Sequence, residues 1–174
     1  MTENKFLKAA LKYREMGYSA IPIKGDKTPF IKWAEYQKKR ADAEQMSAWW
    51  SKWPRAMVGI VTGEISGLTV LDPDTDAGLT ALDEYLPDTL QTPTANTPGG
   101  GRHIWFKHVP GIPNKARVLT DVDVRNDGGY IVAPPSKNGK GKYAWLSGLR
   151  PTEVKPAAMP DVLMDTLLQF SRAP

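Results

Sequence analysis

Cysteine is absent from the 174 residues. Disulfides, thiolate zinc sites and cysteine nucleophiles are therefore excluded together. No apolar run reaches the roughly 18 residues that a membrane-spanning helix requires. The opening "MTENKFLKAALKYREMGYS" is charged and polar, with neither the apolar centre nor the cleavage site of a signal peptide. A cytoplasmic location is the simplest expectation. There is no Walker A loop, so a nucleotide-driven helicase motif is missing. No internal repeat and no long disordered tract occurs.

The length suits about one ordinary domain, and 41% hydrophobic residues suffice for a core. Net charge is +4, from 23 basic and 19 acidic residues. The distribution says more than the sum. Residues 128–152 hold no acid but contain Lys137, Lys140, Lys142 and Arg150, and residues 24–40 carry six basic side chains against two acids. Local basic zones suit a polyanionic partner through phosphate neutralisation. A solvated surface on a mildly basic protein accounts for them equally well.

Hydrophobic periodicity predicts a first helix over residues 3–16, with Phe6, Ala9, Ala10 and Tyr13 on one face and Gly17 closing it. "YSAIPI" follows as a strand in which Pro22 indicates an edge. Asp42 and Gln45 have the spacing of a capping box. Met46, Trp49, Trp50 and Trp53 then repeat as a buried helix face, and Pro54 ends the helix. Core packing explains these tryptophans better than a base-stacking platform does. "MVGIV" and "GLTVL" read as strands joined in a hairpin by "TGEIS". Leu79, Leu82, Tyr85 and Leu86 mark a third helix with Asp76 as its N-cap. "RHIWF", "DVDVR", "GYIVA" and "KYAWL" read as strands, and residues 160–170 as a last helix reached through the linker-like "RPTEVKPAAMP". The mixture predicts an α+β fold, a sheet with helices against it.

The chemistry concentrates in four pieces. In "LTVLDPDTDAG", Asp72 and Asp74 stand two apart and share a face if the chain stays extended. Two adjacent carboxylates repel unless a cation sits between them, and hard oxygen ligands suit magnesium or manganese. Turn chemistry is the competing explanation and fits Asp76 well. In "LTDVDVRNDGG", Asp121 and Asp123 lie opposite Val122 and Val124. A carboxylate from there would complete a two-metal site of the kind that clamps a phosphoryl group. In "TPGGGRHIWF", Gly99, Gly100 and Gly101 expose backbone N–H groups to an anion, and Arg102 and His103 follow. His108 has no such context and reads as a surface residue. In "GGYIVAPPSKNGKGKY", Ser136 either contacts a nucleotide or bonds its own turn.

These pieces, in this order, resemble the bifunctional primase/polymerase N-terminal domain of the archaeo-eukaryotic primase superfamily, found in plasmid, phage and prophage replication proteins. The segments carrying the resemblance are "MVGIVTGEISGLTVLDPD", "TPGGGRHIWF" and "VDVRNDGGYIVAPPS", with "PIKGDKTPFIKW" and the "WW" helix before them. It covers residues 5–150. The resemblance implies an RRM-like antiparallel or mixed catalytic sheet flanked by helices, with a smaller N-terminal α/β element. It implies a catalytic domain over 1–150, with 151–174 as a linker and C-terminal helix. The implied activity is template-directed nucleotidyl transfer, as a DNA primase, a DNA polymerase or both, using two divalent metals, Mg2+ or Mn2+. By motif, Asp72, Asp74 and Asp123 would be the metal ligands and catalytic acids. His103, Arg102, Gly100 and Gly101 would line the triphosphate pocket. Ser136, Lys27 and Lys32 would also reach the nucleotide. The implied partners are a single-stranded DNA template, a primer, dNTP or NTP, and a helicase in cis or in trans.

Two positions depart from the family's pattern. Pro73 stands between the aspartates where an apolar residue is more common, and it removes a ladder donor, so the strand must be edge-like or end there. Splayed carboxylates are one expected consequence. Gly99 stands where serine is common. An enzyme of altered activity and a degenerate nucleotide- or nucleic-acid-binding module both remain open at this point, as does a metal-dependent nuclease.

Overall fold

A computed structural model describes residues 3–171. Among these residues four α-helices and eleven strands follow one another: α1 Lys5–Glu15, β1 Ser19–Ile23, α2 Ala43–Lys52, β2 Met57–Val61, β3 Leu68–Pro73, α3 Asp76–Asp83, β4 Thr94–Asn96, β5 Arg102–Lys107, β6 Lys115–Leu119, β7 Val122–Arg125, β8 Tyr130–Ala133, β9 Lys137–Asn138, β10 Gly141–Lys142, β11 Ala144–Trp145 and α4 Asp161–Leu168. A smaller sheet has the order β1-β2-β8, and a larger one the order β11-β4-β5-β3-β7-β6. All pairs between the named strands are antiparallel. The fold is the expected α+β. No helix among the described residues is long and apolar enough to cross a membrane.

Local chemistry sets the N-terminal helices. The Asn4 side chain accepts from the N–H groups of Phe6 and Leu7, capping α1. At its other end Gly17 adopts φ +100°, and Tyr18 N–H returns to Tyr13 O at 3.0 Å, a Schellman closure. Asp42 caps α2 through Gln45 N–H at 2.8 Å. Met46, Trp49 and Trp50 are buried as their spacing requires, and Pro22 lies on an edge strand. The N-cap of α3 is Thr75, whose hydroxyl accepts from Gly78 N–H; Asp76 is the helix's first residue instead.

Two cores result. On one face of the large sheet, Leu68, Val70 and Trp105 pack with α1, α2 and the small sheet. On the other, Leu71, Ile104, Phe106, Val122 and Val124 pack against Leu82 of α3 and Leu163 and Leu167 of α4. β3 and β5 alternate between them, as the period of a strand dictates.

The expected β2–β3 hairpin is replaced by a change of sheet. Gly63 bridges Leu68, as a tight turn would, but β2 continues in the small sheet and β3 in the large one. The chain changes sheet again between β7 and β8. The two crossings are bonded together: Thr62 N–H to Gly129 O at 3.0 Å, Thr62 Oγ1 to Asn126 O at 2.7 Å, and Glu64 N–H to Asp127 Oδ1 at 2.8 Å. A Cβ at Gly129 would stand 2.1 Å from Asn114 Oδ1 and push it off the Asn126 N–H that it accepts at 3.0 Å. The linker-like segment 150–160 is tied down as well: Lys107 N–H donates to Ala157 O and Ala157 N–H to Thr92 Oγ1, and Met159 is buried.

Candidate active site

β3 runs down the middle of the large sheet, between β5 and β7. Its face toward the small sheet carries Leu68, then Val70, then Asp72, so an apolar row ends in a carboxylate where the two sheets part. The β3–β7 register sets Asp72 directly opposite Asp123. Like charges directly opposite on neighbouring strands are destabilising. Asp74, one residue past the strand, completes the group: carboxylate oxygens of Asp72, Asp74 and Asp123 all lie within 4.8 Å of one another.

Pro73 therefore does not splay the carboxylates. It is the last residue of β3, where a missing ladder donor matters least, and it is buried against Val122 of β7. The chain beyond it is fixed by Asp74 N–H donating to Asp121 O at 2.9 Å. From the other side Gly101 closes in: a Cβ there would meet Pro73 O at 2.6 Å and Asp74 Cα at 3.1 Å. The glycine run thus holds the β4–β5 turn against the acidic segment. Gly99 and Gly100 have φ near +95° and open space around them.

Each carboxylate has a different environment. Burial works to raise the Asp72 carboxyl, but hydrogen bonding and charge from His103, with Arg125 and Lys27 behind them, outweigh it and hold it below the usual range. His103 Nε2 is 3.4 Å from Asp72 Oδ1. Its ring is buried, and its Nδ1 has no hydrogen-bond partner. Tyr143 stacks beside that ring at 6.0 Å, and its hydroxyl is pushed up to about 12 by burial and by the Asp72 charge. Asp123 accepts from Arg117 N–H at 2.9 Å and from Arg125 Nη2 at 3.2 Å. Asp74 shifts the other way: partial burial raises it, and the Asp72 and Asp123 charges raise it further. The triad is a crowded set of hard oxygen donors in which burial and the other two charges make Asp74 resist ionisation, and such a set could hold a metal ion.

The cleft beside the triad has a volume of about 260 Å³. Asp72, His103 and Arg125 come from the large sheet, Gly129 and Tyr130 from the start of β8, and Lys27 from the loop after β1. Tyr130 Oη donates to Lys27 O at 2.5 Å and pins that loop to the rim.

Among the expected residues, the structure brings Asp72, Asp74, Asp123, His103 and Lys27 together and sets Gly100 and Gly101 beside them. Three others stand apart from the cleft. Ser136 is fully buried, and its hydroxyl accepts from Val58 N–H at 2.8 Å, so it ties β2 to the turn after β8. Arg102 precedes His103 on β5 and so faces the opposite side of the sheet. Lys32 is exposed and does not line the cleft. Asp121 is a turn residue at φ +52° whose carboxylate accepts from Thr75 Oγ1 at 2.8 Å. His108 is half-buried rather than free at the surface: its side chain is 15% exposed and its Nε2 is 3.1 Å from Asp127 Oδ2.

Sequence reasoning missed Arg125 and Tyr143. The signal for Arg125 was present, because it stands two residues after Asp123 on the same strand face. Nothing local pointed to Tyr143, which reaches His103 only through long-range packing.

Comparison with curated proteins finds no match. The family described as "Bifunctional DNA primase/polymerase, N-terminal" matches residues 10–162, a span that includes every residue of the triad and the cleft. Its members are primase/polymerase nucleotidyltransferases acting on nucleic acid and nucleotides, and by that match over most of its length this chain belongs to the Prim-Pol family.

Proposed function

We propose that the chain carries out template-directed nucleotidyl transfer on a DNA template, as primase, polymerase or both, at the Asp72–Asp74–Asp123 triad. The observation that carries this reading is the convergence of three carboxylates, from β3 and β7, on a cleft that also holds His103, Arg125 and Lys27. Asp72, Asp74 and Asp123 would hold two divalent metals, Mg2+ or Mn2+. When bound, such a pair supplies charge neutralisation for the triphosphate and acidity for the attacking 3′-hydroxyl.

The remaining residues act on the nucleotide directly. Lys27 and Arg125 place positive charge on the cleft wall, where a triphosphate would lie. His103 Nε2 contacts Asp72 Oδ1 and its ring is held by Tyr143, so it would donate to a phosphate oxygen beside the carboxylates only in exchange for the Asp72 contact. Gly100 and Gly101 keep the β4–β5 turn narrow enough for an anion to approach its backbone. Transfer then joins the primer's 3′-oxygen to the α-phosphorus as the bond to the leaving pyrophosphate breaks. The resemblance to plasmid and phage replication proteins supports a role in copying a mobile element, with a helicase supplied in cis or in trans.

The test is extension of a primed single-stranded template with Mg2+ or Mn2+, comparing the chain with Asp72→Ala/Asp74→Ala. Extension that disappears in the double variant is the expected result. No metal-dependent extension by the unaltered, folded chain would overturn the reading and favour a nucleotide-binding module. Degradation of the DNA without added nucleotides would favour a nuclease.

A further inference from the structure

A second basic surface lies on the far side of the loop that carries Lys27. That loop is one tight turn: Lys27 N–H donates to Lys24 O and Lys24 N–H to Thr28 O, both at 2.8 Å. The Cα atoms of Lys24 and Lys27 are therefore within about 7 Å. Lys27 lines the catalytic cleft, while Lys24 Nζ stands over the Phe30 ring at 5.8 Å. Phe30 in turn stacks on Trp53, with ring centroids 4.6 Å apart and planes 14° from parallel. Lys52 Nζ stands over the Trp53 ring at 4.9 Å. These rings line a cavity of about 420 Å³, with Lys52 and Arg55 on its wall and no acidic residue on it.

The sequence explains why the stack is at the surface. Trp49 and Trp50 point into the core, but Trp53 is the C-cap of α2, where the helix unwinds ahead of Pro54. It is only half-buried, as is Phe30, while Lys24, Lys52 and Arg55 are exposed. None of these three cations forms a direct ion pair among the described residues, although Asp26 in the same turn, held below its usual range chiefly by hydrogen bonds from Thr28, also feels the Lys24 charge.

Flat aromatic faces bordered by unpaired cations match one ligand chemistry closely: unstacked bases joined by phosphates. A duplex offers no base face, and an acidic peptide offers charge without the flat ring. The geometry points to a docking ledge for a single strand of nucleic acid, formed by Phe30, Trp53, Lys24, Lys52 and Arg55. One base stacks on the rings, and the neighbouring phosphates take the ammonium groups that now cover them. Across the 24–28 turn the strand would enter the catalytic cleft, so it is the unpaired template that the ledge holds. The identity of the strand as template rests on the polymerase reading; its binding does not.

The test is fluorescence anisotropy of a labelled oligothymidine with the whole chain, in chelator and without nucleotide, over a series of salt concentrations. Trp53→Ala is expected to weaken binding about fivefold or more, the loss of one base stack. Lys52→Ala/Arg55→Ala, at two exposed positions that do not threaten folding, is expected to reduce the slope of log affinity against log salt by about 1.4. Unchanged affinity and slope in the double-cation variant would overturn the ledge, whatever happens to Trp53→Ala. So would an equal loss of duplex binding in Trp53→Ala, because a duplex has no free base to stack. Extension by the unaltered chain with normal strand binding by the ledge variants would sink the ledge alone. Strand binding lost in those variants, beside an unaltered chain that cannot extend, would keep the ledge and sink the polymerase reading.

Discussion

Replacing Asp74 by asparagine should stabilise the metal-free protein while abolishing its metal response. Asp74 lies within 4.8 Å of both Asp72 and Asp123 by its carboxylate oxygens, and its carboxyl is raised by partial burial and by those two charges. Coulomb's law at that distance gives about 0.9 kcal/mol per pair in water and several times more in a protein-like dielectric. Asp74 is exposed, so the watery limit applies, and Arg125 offsets part of the repulsion. A net gain of about 1 kcal/mol follows, or about 2–4 °C in Tm for a chain of this size. The pH dependence has a definite sign. A carboxyl whose folded pKa is raised penalises the fold fully above that pKa, and the penalty disappears as pH falls toward the unfolded value near 4. The difference between Asp74→Asn and the unaltered chain should thus be widest at neutral pH and close on acidification. The assay is thermal unfolding in EDTA and again with Mn2+. Metal should raise the Tm of the unaltered chain and leave that of the variant almost unmoved. A variant that melts at or below the unaltered chain in EDTA would refute the reasoning, because the three carboxylates would then not be crowded.

Arg125→Ala should raise the KM for nucleotide about 10- to 100-fold, the range of a lost charged hydrogen bond, with Arg125→Lys recovering part of it. Steady-state extension over a range of nucleotide concentrations checks this, and an unchanged KM would remove Arg125 from the nucleotide site. At the crossing between the sheets, the Asp127 carboxyl feels burial as an upward push but is held below its usual range by Glu64 N–H and His108. Its stabilisation is therefore complete above pH about 4 and fades as pH falls through the depressed value. Asp127→Asn should lower Tm at pH 7 by the equivalent of about 0.5–1 kcal/mol, reduced because the side chain is 59% exposed, and the two chains should converge in acid. Melting curves at several pH values decide it.

Much of the site could be read from spacing alone. Asp72, Asp74 and Asp123 sit at strand periodicity beside residues whose burial is obvious from their type, so face and chemistry were visible together. α1 and α2 were legible for the same reason, since caps and apolar periodicity agree. What failed was information that is not local. The turn at 62–67 looks alike whether its flanking strands pair or part, and only distant partners decide; β1 and β8 claim β2, while β5 and β7 claim β3. Ser136 carries a hydroxyl that suits a ligand or a backbone, and its complete burial against Val58 is a fact of tertiary packing. β4 is three residues long, too short for alternation to show. Arg102 and His103 are adjacent on β5, and adjacent strand residues face opposite ways, so of the two only His103 lines the cleft.

The change of sheet that the sequence concealed is also what makes the site. Had β2 and β3 paired as a hairpin, the rows ending in Asp72 and Asp123 would have opened onto solvent. Because the chain leaves the small sheet after β2 and returns to it at β8, β8 and the loop after β1 are carried over the end of those rows and bring Tyr130 and Lys27 to face the acids. The crossings hold this arrangement through Asn126, which is fully buried. Its side-chain amide donates to Val109 O and Ile112 O, its Oδ1 accepts from Thr69, and its backbone carbonyl accepts from Thr62. None of these groups lines the cleft, yet they fix the separation between the two sheets, and with it the distance from the cationic wall to the carboxylates. A buried polar hub of this kind is costly when left unsatisfied and rigid when complete. The geometry of the candidate site is therefore set by a hydrogen-bonded seam behind it as well as by the charged residues within it.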